Sequence, residues 1–183
     1  DLSKKPHLID AVIGNSRMLA ALGAGGRIYR LWHPHIDSPQ HLDEWRTGIR
    51  IDGGSTLWFD SETDGWRADA GYEPGTNIVH TAATHRNHPV LIESTHFAAP
   101  DADVLIRHYR ITNTGDRSVS LQFIHYASFW IGETPHHQAS LFDEPSDALV
   151  HYRGSHVFAV SADRACAEFQ AGASREEAES GRL

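Results

Sequence analysis

Ser118-Val119-Ser120-Leu121-Gln122-Phe123-Ile124-His125-Tyr126-Ala127-Ser128-Phe129-Trp130-Ile131-Gly132 is the longest apolar run in the chain. Leu121, Phe123, Ala127 and Phe129 fall on one parity, and Ile124, Tyr126 and Trp130 on the other. Successive strand side chains point to opposite faces, so a strand apolar on both parities is expected to be covered on both sides, as in the middle of a large sandwich. Shorter apolar runs at 18–22, 28–32, 57–59, 78–83, 90–97, 104–111, 148–152 and 157–162 are separated by turn chemistry. The turns are Gly23-Ala24-Gly25-Gly26, Asp52-Gly53-Gly54, Asn113-Thr114-Gly115-Asp116 and Arg153-Gly154-Ser155. Each supplies residues that tolerate positive φ or close an Asx turn, so each is expected to reverse the chain between neighbouring strands. Helical periodicity is absent until the tail, where Ser174-Arg175-Glu176-Glu177 has the Ser-x-x-Glu form of a capping box. The expectation is an all-β chain: residues 1–183 as one large antiparallel β-sandwich with a short helix near the C-terminal end.

The 183 residues carry 16 Lys+Arg against 24 Asp+Glu, a formal net charge of −8. An acidic chain without a basic run lacks the electrostatic footprint of nucleic-acid or anionic-membrane binding. No apolar stretch is long enough to span a bilayer, and the first residues carry neither a basic leader nor an apolar signal core. Cys166 is the single cysteine, which excludes an internal disulfide and makes the cytoplasm the default compartment. Without a partner it is expected to behave as a small buried hydrophobe.

The densest chemistry lies in Tyr29-Arg30-Leu31-Trp32-His33-Pro34-His35-Ile36-Asp37-Ser38-Pro39-Gln40-His41. The two prolines end the strand at about Trp32 and stiffen a loop able to present Arg30, Trp32, His33, His35, Asp37 and His41 together. His-x-His with a nearby Asp and His has the donor types of a metal site, but Pro34 spoils the strand-borne geometry, and no metal or other cofactor is assigned. Two readings stay open. In one, the loop is a sugar-facing edge, with Trp32 or Trp45 as an aromatic face and the polar groups on hydroxyls. In the other, its histidines satisfy backbone groups at a domain contact. Elsewhere, Trp58 and Trp130 are expected in the core, His108 and His125 as satisfied imidazoles within apolar strands, and His136-His137 in a loop. Glu93 and Glu133 are expected to be solvated or paired with an arginine. Asp143-Glu144-Pro145-Ser146-Asp147 fits a hairpin turn, since the spacing and glycine of a calcium loop are missing.

The stretch Leu8-Ile9-Asp10-Ala11-Val12-Ile13-Gly14-Asn15-Ser16-Arg17-Met18-Leu19-Ala20, followed by Gly26-Arg27-Ile28-Tyr29-Arg30-Leu31-Trp32-His33-Pro34-His35-Ile36-Asp37, resembles the amino-terminal β-sandwich domain of bacterial glycoside hydrolase family 15. The resemblance continues through Ile49-Arg50-Ile51-Asp52-Gly53 and Val104-Leu105-Ile106-Arg107-His108-Tyr109-Arg110-Ile111-Thr112-Asn113, and reaches Ala178-Glu179-Ser180-Gly181-Arg182-Leu183. It implies a supersandwich related in fold to galactose mutarotase, packed on a separate helical (α/α)6 barrel of the same polypeptide. In that family the barrel holds two glutamates that act as acid and base in inverting hydrolysis, with a water accommodated between carboxyl and sugar. No catalytic residue is therefore expected in this chain. The implied partners are the remainder of the polypeptide, as a separate chain if nicked, and an α-glucoside oligosaccharide; a homodimer is a further possibility. The family domain is longer than this chain, which implies an incomplete sandwich and a cleavage point or loop near Arg182-Leu183.

Two other classes compete with this one. A stand-alone aldose epimerase on the same kind of fold would need a His and a Glu on a concave sheet face, with His108 or His125 and Glu93 as candidates. A carbohydrate-binding module without chemistry would rely on exposed tryptophans.

Overall fold

The computed structural model describes residues 11–59 and 65–172, so the capping-box segment at 174–177 lies outside the described residues. Thirteen strands follow in order: β1 (Ala11–Gly14), β2 (Leu19–Leu22), β3 (Ile28–Trp32), β4 (Leu42–Ile51), β5 (Leu57–Trp58), β6 (Trp66–Tyr72), β7 (Val79–His85), β8 (Val90–Ala98), β9 (Leu105–Asn113), β10 (Leu121–Phe129), β11 (Ala139–Asp143), β12 (Ala148–Arg153) and β13 (His156–Ser161). The described helical turns are two 3-10 turns, at Ala24–Gly26 and Glu144–Ser146. The all-β, antiparallel expectation holds, and the 143–147 segment does connect two hairpin strands, with the Asp143 carboxylate accepting from the Ser146 N–H.

Among the described residues the strands form three antiparallel sheets. The first runs β1-β2-β3-β4-β10, with β5 continuing along the side of β4 that β3 leaves; the second runs β6-β7-β8-β9; the third is β11-β12-β13. The first two face one another across two groups of buried side chains. One gathers Ile13, Leu22, Ile28, Leu42, Val79 and Phe129, and the other Ile49, Phe59, Trp66, Ala83, Val90 and Ile92. Burying each such large aliphatic side chain contributes about 1.5–3 kcal/mol, which makes this interlayer the main source of stability. The third sheet closes one end: Phe158 of β13 stacks on Phe129 of β10 at 5.1 Å between ring centroids.

The apolar runs at 78–83 and 90–97 form β7 and β8, and β7 alternates, with Val79, Thr81, Ala83 and His85 turned inward and His80, Ala82 and Thr84 outward. The two-sided apolarity of β10 has its cause on both faces: Phe123 meets Tyr109 of the facing sheet at 5.0 Å while Tyr126 meets Trp58 of β5 on the opposite face at 6.4 Å. Among the described residues the strand pairs with β4 and lies at the edge of its sheet. One expectation fails in an instructive way: the Asn113–Asp116 turn does not join paired strands but carries the chain from the second sheet to the first. Cys166 is exposed, its thiol donating to the Glu168 carbonyl at 3.1 Å, because the 162–172 segment follows the last strand along the surface.

Candidate functional site

The 32–41 loop leaves β3 at Trp32, passes a cis peptide between His33 and Pro34, and returns through an isolated antiparallel bridge between Trp32 and Gln40. Its base is fastened by His41, only 1% exposed. The His41 Nδ1 accepts from the Gly132 N–H at 3.0 Å, which places the proton on Nε2, and Nε2–H donates to the His33 carbonyl at 2.9 Å. Burial pushes this imidazole below its ordinary pKa, the nearby His156 and His33 adding to the effect against the opposing bond to His33 and the Glu133 charge. The ring packs on Phe158 at 5.0 Å and on His156 at 5.1 Å. His41 thus pins two loops, 32–41 and 130–133, and the third sheet to one point. Gln40 reinforces the junction: its carbonyl accepts from the Glu133 N–H at 3.1 Å, and its side-chain oxygen from the Leu42 N–H at 3.0 Å.

The six residues singled out in the sequence do not converge on one cavity. His33 turns toward Asp103, Nε2 to Oδ2 at 3.4 Å, and the same carboxylate takes Arg17 at 2.7 Å. This triad bridges the loop to the β8–β9 connection, which Asn15 also holds through bonds from its amide to the carbonyls of Ala99 and Ala102. His35 and Asp37 stand outward at the loop tip, 3.8 Å apart, with the Asp37 side chain 90% exposed. Trp32 and Arg30 are half-buried on β3. The loop therefore has an exposed tip of His35, Ile36 and Asp37 on a rigid base made by His33 and His41. Trp45 is not available as a sugar platform, because it lies in the core beneath the Arg107 guanidinium, 5.0 Å from the ring centroid. Trp58 is buried as expected, and Trp130 is half-buried.

A second polar assembly, absent from the sequence-based candidates, runs between the two facing sheets. Arg107 Nε donates to His96 Nδ1 at 3.4 Å, His96 Nε2–H donates to Ser94 Oγ at 2.8 Å, and Ser94 in turn bonds Thr81. Arg107 Nη2 also donates to the Gly26 carbonyl at 2.6 Å. His96 is fully buried, and burial followed by the Arg107 charge pushes its pKa down to about 2. His125 lies nearby, bonded to Thr47 Oγ1 at 3.3 Å and packed on Phe123 and Tyr109. The same two causes hold it at about 3, although the residue is exposed at the rim of the interlayer. The alternation of Leu105, Arg107, Tyr109 and Ile111 was the available signal: a charged residue on the inward parity of a strand must find partners there. His108 lies on the opposite, outward face of β9, on the same sheet face as Glu93, while His125 faces the interlayer, so only His108 shares a surface with Glu93.

No family model matches the chain. It is 26% identical over 161 residues to an uncharacterized glycosyl hydrolase of Methanocaldococcus jannaschii, a match that covers 88% of this chain and 25% of that protein. Its backbone superposes on a crystal structure of a bacterial glucoamylase complexed with acarbose, with a TM-score of 0.71 at 15% identity, over 86% of this chain and 24% of the glucoamylase chain. The fold of the chain is that of a segment of this glucoamylase. The likeness carried by 8–20 and 26–37 thus extends to the backbone path of nearly the whole chain, and the relation to a glycosyl hydrolase is independently present in sequence. The chain spans about a quarter of the length of both proteins it matches.

Proposed function

We propose that this chain is the non-catalytic sandwich segment of an exo-acting, glucoamylase-type glycoside hydrolase that releases glucose from α-glucoside oligosaccharides. Hydrolysis would take place in an (α/α)6 barrel supplied by the rest of the polypeptide. The observation that carries this is the superposition of 86% of the chain on a quarter of a glucoamylase that holds acarbose. The rigid base and exposed tip of the 32–41 loop suit a contact with a neighbouring domain: Trp32, His33 and His41 fix the loop, while His35 and Asp37 are presented outward to pack on the barrel or to shape the rim of its pocket.

The mouth between β9 and β10 supports the assignment of the remaining polypeptide as partner. Both strands are sheet edges, and inward-facing Phe123 is still 39% exposed, with Tyr109 only half-buried, among the described residues. Apolar side chains pointing into an interlayer are normally covered. Further chain from the same polypeptide would cover them.

The test is glucose release from maltose, isomaltose and trehalose by the purified protein, run beside denaturing mass spectrometry of every polypeptide present. Activity accompanied by a larger companion chain is the expected result, and the preferred disaccharide names the linkage. One folded chain of this length, without a companion and without hydrolysis in the presence of the separately produced remainder, overturns the proposal.

A further inference from the structure

We propose that the outward face of the β6-β7-β8-β9 sheet carries a binding groove for a neutral saccharide, separate from the 32–41 loop. Antiparallel register places Asp69, Ala82, Glu93 and Arg110 in one row across the four strands, and Gly71, His80, Thr95 and His108 in the next. Large and small residues are not mixed evenly in these rows. Ala82 lies between Asp69 and Glu93 in the first row, and Gly71 lies diagonal to it on β6, so the surface dips between the two carboxylates, whose backbones stand about 10 Å apart across two strand spacings. The resulting cavity measures about 440 Å³, within the roughly 300–1,000 Å³ of small-molecule sites. A Cβ built on Gly71 would meet nothing within 4 Å, so the glycine leaves open space.

One wall is held in place. His80 bonds Thr95 Oγ1 through Nδ1 at 3.0 Å and the Glu73 carboxylate through Nε2 at 3.3 Å, which fixes both the imidazole and the hydroxyl beside the hollow. Beneath it, the Thr81–Ser94–His96 chain anchors the same two strands from the inner side.

The chemistry of the lining selects the ligand class. A phosphate or sulfate would meet Asp69 and Glu93, and an amine would meet Arg110. An apolar ligand would find only alanine and glycine as its floor and would strip water from every wall. Among the described residues no group of three metal-ligating side chains is close enough to hold a cation. Hydroxyl groups suit all of the lining, since each can donate to a carboxylate and accept from a guanidinium or a second hydroxyl. A sugar ring carries several at the required separation.

The experiment is amide chemical-shift mapping of the purified chain titrated with maltotriose and, in parallel, with cellotriose. Three variants with outward-facing changes accompany the wild type: Ala82→Leu, which fills the hollow, Glu93→Gln, and Val157→Ser on the exposed surface of β13 as a control. The expected result is saturable shifts on β6 to β9 with at least one trisaccharide, weakened about tenfold or more by Ala82→Leu and Glu93→Gln and unchanged by Val157→Ser. Shifts confined to the 32–41 loop, or absent with both sugars, overturn the proposal, as does binding that Ala82→Leu leaves intact. The use of an α-glucan as probe rests on the glucoamylase-type function. Binding of cellotriose alone on β6 to β9 upholds the groove while counting against α-glucosides, so the two failures are distinguishable.

Discussion

His41 works only as a neutral imidazole, because Nδ1 must accept from Gly132 while Nε2–H donates to His33. His41→Ala removes both bonds and leaves a void at a fully enclosed position, with an expected loss of about 3 kcal/mol in urea unfolding. His96 extends the point to pH. Its folded pKa of about 2 lies far below the ordinary value of 6.5, and His41, His125 and His151 are shifted in the same direction by burial first. Across the interval between folded and unfolded values the unfolded chain binds more protons, so this stability is complete above about pH 6.5 and falls away as the pH drops. The urea midpoint is expected to decline steadily from about pH 7 to about pH 4, and less steeply in His96→Gln. Equal slopes in the two proteins would remove His96 from the account. The exposure of His125 is expected to make its share the smaller one, since water there still solvates a charge.

At the scale of single elements, the 3-10 turn between β2 and β3 is fitted to His96. Gly26 sits at φ 80, and a Cβ there would lie 2.5 Å from His96 Nε2. Gly26→Ala is expected to cost about 2 kcal/mol or more, from backbone strain and displacement of the buried imidazole, measured by thermal unfolding. The third sheet depends on fewer contacts, chiefly Phe158 against Phe129 and His41. Phe158→Ala is expected to make 139–161 the first protease-sensitive segment under native conditions, while the β6–β9 sheet stays protected. Strands with clean alternation or apolar runs, such as β3, β7, β8 and β13, were legible in the sequence. The central strand β4 was not, because Leu42-Asp43-Glu44-Trp45-Arg46-Thr47-Gly48-Ile49-Arg50-Ile51 carries four charges in ten residues. These charges are nonetheless mostly buried: Glu44 pairs with Arg27 at 2.7 Å, Arg46 lies over the Trp58 ring at 4.9 Å, and Arg50 donates to Thr56 at 2.9 Å. Periodicity sees a polar segment, and only partners distant in sequence make it a core strand. The candidate site shows the same limit, since the 29–41 motif identified the loop but not that His41 faces inward and His35 outward.

Across the whole molecule, the uncovered mouth between β9 and β10 predicts how the isolated chain behaves. Phe123 and Tyr109, flanked by two strands that are sheet edges among the described residues, form a template for association. Sedimentation of the chain alone is expected to show concentration-dependent self-association that Phe123→Lys reduces; a monomer at all concentrations would mean that the edges are already protected. The long reach of the β4–β10 pairing, Thr47 opposite His125, also imposes an order in time. While a ribosome is still delivering the β6–β9 meander, β4 has no partner on that side, and the meander can complete its local hairpins first. Closure of the first sheet waits for residues 121–129, so the slowest and most interruptible moment in the life of this fold comes after more than half of it has already formed.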